Sequence, residues 1–293
     1  MYSIDFEKFA DIPSVTEWDS AFYGTHDDDR DKATKSYLTS KAQSTIEVAY
    51  DEEELAVTLN GELKYIHELQ DIFSSLASNK IVVDATSTSV AELYIIVKHL
   101  KLAGCSSIDV IYTEPQEYTK EKDDFQLSEY GMGFSGNGIP SLTFPQMERK
   151  LVVFLLGYEG DRFSDALETL QVTRNEVQLF FGVPSYKINW EKNSYLGNLK
   201  SIVDNQLNNL FTFAPANNPR VLEKKILELF DYCKKSKAQL VLVPIGTKPL
   251  AIGALKLVSE YDDGRVCVLW DQPRRKKGRT SGVGKISLIK GIF

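Results

Sequence analysis

Hydrophobic residues along this chain gather into short β-branched or aromatic runs at 20–24, 45–50, 80–84 and 108–112, and again at 150–156, 176–181, 239–244 and 265–270. Each run has the length of a strand. The stretches between them carry helical apolar spacing, clearest at 62–77, 89–103, 162–171, 220–236 and 249–260. Strands alternating with helices predict an α/β fold with mainly parallel sheets covered on both faces. Runs such as IVVD and LVLVP are apolar at successive positions, the pattern of strands buried on two sides. Pro219 and Pro249 stand where a first helical turn tolerates proline, and Ser89 is placed to cap the helix after it. The stretch 116–147 is rich in glycine and proline with little periodicity, and reads as a loop and hairpin.

The runs repeat in order. An apolar run ending in Gly and then Asp-Arg at a helix start occurs as FYGTHDDDR (22–30) and as LLGYEGDR (155–162). A β-rich run follows each, IEVAYDEEE (46–54) and VQLFFGVPSY (177–186). KIVVDATSTSVAELYIIVKHL then aligns with QLVLVPIGTKPLAIGALKLV, setting Asp84, Thr86, Ser87 and Thr88 opposite Pro244, Gly246, Thr247 and Lys248. Each set closes on a strand ending in proline, DVIYTEP (109–115) and VCVLWDQP (266–273), and on a Ser-Gly-x-Gly turn, SGNG (135–138) and SGVG (281–284). The expectation is two tandem Rossmann-like repeats, 1–150 and 151–293, related by a pseudo-twofold axis and facing each other across a cleft. The tail 273–293 is expected to belong to the second repeat.

Composition narrows the setting. Hydrophobic residues make up 43% of the chain and charged residues 26%, values of an ordinary globular protein. The apolar run LVVFLL is far shorter than the roughly 20 residues of a membrane helix. Asp5, Glu7 and Lys8 interrupt any secretory segment after Met1, so a cytoplasmic protein with no membrane contact is expected. Three scattered cysteines predict neither a disulfide framework nor a zinc site, and no cofactor is expected. A net charge of -7 argues against general attraction to nucleic acid. The exception is the basic run of Arg274, Arg275, Lys276, Lys277 and Arg279, which is either a nucleic-acid contact or a solvated loop.

In open α/β sheets ligands collect beyond the carboxyl ends of the strands, where the matched signatures fall. Gly246 lets backbone approach a ligand, Thr247 offers a hydroxyl, and Lys248 adds charge ahead of a helix N-terminus, a combination suited to phosphate. The Asp29-Arg30 and Asp161-Arg162 pairs offer a helix-capping carboxylate and a guanidinium that forks onto phosphate, or else simple dipole and salt-bridge partners. Glu114 and Gln272 end matched strands and point to a ribose hydroxyl or base amine, or to plain strand-end polarity. His26, Asp27, Asp28 and Asp29 are adjacent in sequence and read as a solvated acidic loop, with no metal.

The Gly-Thr-Lys-Pro stretch at 246–249 resembles the corresponding loop of CARF domains, Rossmann-like sensors of cyclic oligoadenylates in CRISPR and related antiviral systems, and the tandem arrangement resembles the SAVED sensors. The resemblance covers about fifteen residues closely. It implies nucleotide contacts at Gly246, Thr247 and Lys248, with Thr86, Ser87 and Thr88 in the sister loop, although that loop has no lysine. It also implies a sensor or ligand-binding subunit whose effector is a separate protein. Two other readings stand beside it: a metal-independent phosphodiesterase or other nucleotide-processing enzyme using the same cleft, and a scaffold subunit of a defence complex.

Overall fold

A computed structural model describes residues 1–119, 125–129, 133–134, 139–140, 142, 147–261 and 264–293. The chain runs β1 (Tyr2–Phe6), β2 (Trp18–Gly24), α1 (Asp29–Lys41), β3 (Ala42–Asp51), β4 (Ala56–Leu59), β5 (Glu62–Tyr65), α2 (Leu69–Ser74), β6 (Lys80–Asp84), α3 (Val90–Leu102) and β7 (Ser107–Tyr118). It continues through β8 (Ser128–Glu129), β9 (Lys150–Leu155), α4 (Gly160–Leu170), β10 (Val177–Gly182), α5 (Trp190–Asp204) and β11 (Phe211–Ala214). The last elements are α6 (Pro219–Ser236), β12 (Gln239–Val243), α7 (Lys248–Glu260), β13 (Val266–Val268), β14 (Arg274–Arg275) and β15 (Thr280–Lys290). This is a mixed α/β protein: the five-stranded sheet is parallel throughout, and the eight-stranded sheet is parallel in its middle and antiparallel toward both edges.

Two compact units form, Met1–Thr119 with Lys277–Phe293, and Lys120–Lys276. They differ from the consecutive halves 1–150 and 151–293 because the tail returns to the first sheet. There β15 runs antiparallel to both β1 and β7, in the order β1-β15-β7-β6-β2-β3-β4-β5. Ile286 and Leu288 of β15 are buried with Trp18, Leu38, Val82 and Ile111, so the tail completes the first unit's core. In unit 2 the parallel order is β11-β10-β9-β12-β13, and Phe154, Phe163, Phe181, Val241 and Leu269 contribute to one core. Four parallel strands follow one scheme in both sheets: β3-β2-β6-β7 in the first, β10-β9-β12-β13 in the second.

The sequence pattern holds for all eight expected strands and for the caps. Ser89 accepts a hydrogen bond from the Glu92 N–H, and Pro219 and Pro249 occupy the first turns of α6 and α7. Residues 62–77 differ from the expected single helix. Asn60 and Gly61, both at positive φ, turn β4 back into β5, and only then does α2 begin. An Asn-Gly hairpin signal outweighs the helical spacing here. α1 and α5 lie in stretches whose apolar periodicity is too weak to place them. In the stretch read as loop and hairpin, β7 runs on to Tyr118 and β8 pairs with β14, while the first Ser-Gly-x-Gly turn (135–138) lies outside the described residues. No helix among the described residues is long and apolar enough to cross a membrane.

Leu288→Ala tests the place of the tail. Emptying this buried site in β15 is expected to cost about 3 kcal/mol in urea unfolding, and an unchanged midpoint would remove β15 from the core.

Candidate functional site

In unit 2, β10 lies on one side of β9 and β12 on the other. The chain therefore continues from β9 and β12 toward opposite sides of the sheet, the switch point at which open α/β sheets take their ligands. The loops after these two strands pass backbone to backbone. A Cβ on Gly157 would lie 2.7 Å from the Ile245 carbonyl oxygen, and one on Gly246 would lie 2.7 Å from that of Leu156. No side chain fits at either position. The Gly157 carbonyl is further fixed by Ser194 Oγ at 2.8 Å and Asn198 Nδ2 at 2.9 Å. Thr247 is the N-cap residue of α7, and its carbonyl accepts from the Leu250 N–H at 3.1 Å. Its hydroxyl makes no capping bond. Thr247 Oγ1 is buried and has no hydrogen-bond partner among the described residues, an arrangement that costs roughly 1–3 kcal/mol. Lys248 opens α7 and is half-buried.

Arg162, in the first turn of α4, joins this loop to its surroundings. Nε and Nη2 donate to Asp271 Oδ2 and Oδ1 at 2.5 and 2.6 Å, while Nη1 donates to Glu159 Oε2 at 3.3 Å and the Ile245 carbonyl at 3.4 Å. The Trp270 ring lies 5.2 Å from the guanidinium carbon. Burial works against the arginine's charge, but Asp271 and then Glu159 push its pKa above the ordinary value. Arg162 also walls a cavity of about 190 Å³ together with Phe125, Glu129, Asp161, Asp165 and Asp271. The cavity is acidic. Burial and then the neighbouring charges of Asp161, Glu168 and Asp271 raise the Asp165 carboxyl above its ordinary range. Such a surface favours hydroxyl and amine donors and repels phosphate.

The equivalent place in unit 1 is filled by its own side chains. Asp84, fully buried, accepts from the Thr86 N–H at 2.8 Å and from Ser87 Oγ at 2.5 Å, and Ser87 Oγ accepts from the Gly24 N–H at 2.9 Å. Thr86 Oγ1 accepts from the Thr113 N–H and Thr88 Oγ1 donates to the Asp84 carbonyl. Thr86, Ser87 and Thr88, expected to meet a ligand, are at most 1% exposed. Burial raises the Asp84 pKa despite the hydrogen bonds that oppose the rise. The helix caps also shift the alignment of the two loops. Ser89 caps α3 and Thr247 caps α7, so these two are equivalent rather than Thr88 and Lys248.

Arg30 is buried as well. It donates to Asp28 Oδ2 through Nε and Nη2 at 3.2 and 2.8 Å, and to the Thr113 carbonyl at 3.3 Å. Asp28, not Asp29, caps α1, accepting from the Arg30 and Asp31 N–H groups. Asp29 is exposed and accepts from the Gly282 N–H at 3.1 Å. Asp161 sits in the first turn of α4 without capping it. Glu114 is buried, and Tyr112 donates to it at 2.7 Å. Among the basic residues, Arg274 and Arg275 form β14 against β8, the Lys276 N–H donates to the Leu127 carbonyl, and the Arg279 carbonyl accepts from Thr119. Lys277 is exposed.

The structure thus brings Gly246, Thr247, Lys248, Asp161 and Arg162 together around one loop and its adjoining cavity. It adds Glu159, Asp165 and Asp271, which the sequence reading did not single out. Asp271 had a signal, since it occupies the place of Thr113 in the matched strand ends TEP and DQP. Arg30 reaches Thr113 and Arg162 reaches Asp271. No family model matches the chain, and no curated protein does.

The Asp28–Arg30 pair yields a pH prediction. Burial opposes ionisation of Asp28, but Arg30, the Asp31 N–H and Thr280 outweigh it and hold the carboxyl well below its ordinary 3.8. A depressed carboxyl pKa contributes stability that is full above the unfolded value and is lost as pH falls toward the folded one. Asp28→Asn leaves Arg30 buried without its counter-charge and is expected to cost about 3 kcal/mol at neutral pH. The gap to the parent protein should close in urea titrations as pH falls below about 4. A gap independent of pH would assign the loss to something other than this ion pair.

Proposed function

We propose that the protein is a nucleotide-recognition protein that binds its ligand at the carboxyl end of the second sheet and acts as a sensor or ligand-binding subunit. The ligand's phosphate lies at the N-terminus of α7, on loop 246–248. Its hydroxyl- and amine-bearing part faces the acidic cavity, which shares the Arg162 wall with that loop. The observation that carries this reading is Thr247: a buried hydroxyl without a partner, at a helix start reached through a glycine that admits no side chain. Helix N-termini stabilise anions through unpaired N–H groups and the helix dipole, and Lys248 adds a full charge.

The finer reading is of two Rossmann-like repeats resembling CARF domains, placed in an antiviral or stress pathway and working through a separate effector. It draws support from the shared order of four parallel strands and from the paired reach of Arg30 and Arg162 to the matched positions Thr113 and Asp271. The repeats have diverged at the ligand end. Asp84, Ser87 and Thr86 close the first loop, so ligand binding belongs to the second.

Calorimetry with a panel of cyclic and linear oligonucleotides, and with inorganic phosphate as the minimal probe, tests this. Lys248→Ala is expected to abolish binding with an unchanged circular dichroism spectrum, and Thr247→Val to weaken it about tenfold. Parent-like affinity in both variants would remove the loop from the site. Turnover of a bound oligonucleotide during the titration would replace the sensor with an enzyme.

A further inference from the structure

Unit 2 contains a closed ring of bonds that begins and ends at Arg162. On one side, Glu159 accepts from Arg162 Nη1, and its carboxylate also accepts the Leu127 and Ser128 N–H groups at 3.0 and 2.7 Å and Ser128 Oγ at 3.1 Å. That fixes β8. On the other side, the short bidentate pair with Asp271 holds the segment that leads directly into β14. The ring closes through the ribbon itself, where Arg274 and Arg275 pair with Glu129 and Ser128 and the Lys276 N–H donates to the Leu127 carbonyl at 3.1 Å. The remaining guanidinium bond goes to the Ile245 carbonyl, one residue before Gly246. Arg162 and Asp271 are both largely buried, with side chains 14% and 7% exposed, so water does not substitute easily for any of these bonds.

We propose that Arg162 is a positioning residue that couples loop 246–248 to the β8–β14 ribbon, so that the state of the loop sets the order of the ribbon. This rests on the proposed function only for the identity of the trigger, an anion arriving at the loop. The two bonds from Nη1 are the long ones, and they are the ones a nearby anion competes for most readily. Loss of the first loosens Glu159 and with it β8, and loss of the second frees the loop from the same guanidinium. Beyond the ribbon the chain passes, between Lys276 and Lys277, into the segment that supplies β15 to the first sheet. By reciprocity, whatever frees the ribbon also changes the loop's affinity for an anion.

Hydrogen exchange on the full-length protein tests the coupling without any ligand. Asp271→Asn removes the carboxylate fork, and Arg162→Lys keeps the charge but loses the fork. Each is expected to speed exchange about tenfold at 127–129 and at 245–248, while 80–102 in the first unit keeps its parent rates. Parent-like exchange at either segment in both variants overturns the proposal. Should one variant fail to fold, the other decides. In a second arm, pyrophosphate is titrated into the parent protein. Binding accompanied by faster exchange at 127–129 and 271–276 supports the coupling, whereas binding that leaves both segments unchanged overturns it and leaves the ligand loop standing. No binding, with both segments loosened in the variants, removes the anion reading and leaves the coupling intact. Asp271→Asn also separates coupling from a merely structural role: a guanidinium released from Asp271 is expected to tighten pyrophosphate binding, while simple damage weakens it.

Discussion

The insertion of β15 between β1 and β7 is the constraint on which the arrangement of this chain depends. A strand with sheet neighbours on both sides and side chains buried on both faces is held by its ladder and by its packing. Because that strand comes from the end of the sequence, the chain must leave the first unit after Thr119 and return to it at Lys277. Two crossings instead of one mean that the second unit is an insertion within the first. The segment before the second crossing, Asp271 through Lys276, is held within its own unit by Arg162 and by the pairing with β8.

The two sheets share a strand order and use it differently. In the first, the loop after β6 folds into a closed set of hydrogen bonds among Asp84, Thr86, Ser87 and Thr88, anchored on Gly24 and Thr113. Such a set rigidifies a loop because leaving any member unpaired in a buried site is costly. In the second, Pro244, Ile245 and Gly246 supply no side-chain acceptor to do the same, and the Thr247 hydroxyl is left without a partner. A site that carries an unmet hydrogen-bonding group gains more from a ligand than one already satisfied. On this difference, rather than on the strand order, rests the proposal that the second loop binds a ligand.

Much of the fold was legible because the strands are buried on both faces and announce themselves as unbroken apolar runs. The caps were legible too, since Ser89, Pro219 and Pro249 act locally and their effect depends on sequence neighbours alone. The destination of residues 280–290 was not. A strand's sequence records its burial, not its partner, and SGVGKISLIK fits the edge of either sheet equally well. For the site, the glycine, threonine and lysine of the second loop were visible as a helix-start pattern. Their sister residues share the pattern but turn inward, and only the packing of Gly24 against Ser87 decides that. Glu159 and Asp271 were hidden for the same reason: their value lies in a partner far away in sequence.

Arg30 and Arg162 show how similar placements support opposite outcomes. Each sits in the first turn of the helix that follows the first strand of its parallel set; Arg30 reaches Thr113 within β7, and Arg162 reaches Asp271 just beyond β13. Arg30 takes its counter-charge from Asp28, two residues away, so its ion pair braces one helix start, and it reaches β7 through the neutral Thr113 carbonyl. Arg162 takes its counter-charge from Asp271, at the position where unit 1 has Thr113. A carboxylate beyond β13, instead of one at the helix start, makes a tie between distant segments in place of a local brace. A tie of that kind transmits a disturbance at either end, because the buried guanidinium cannot lose one partner without weakening its hold on the others.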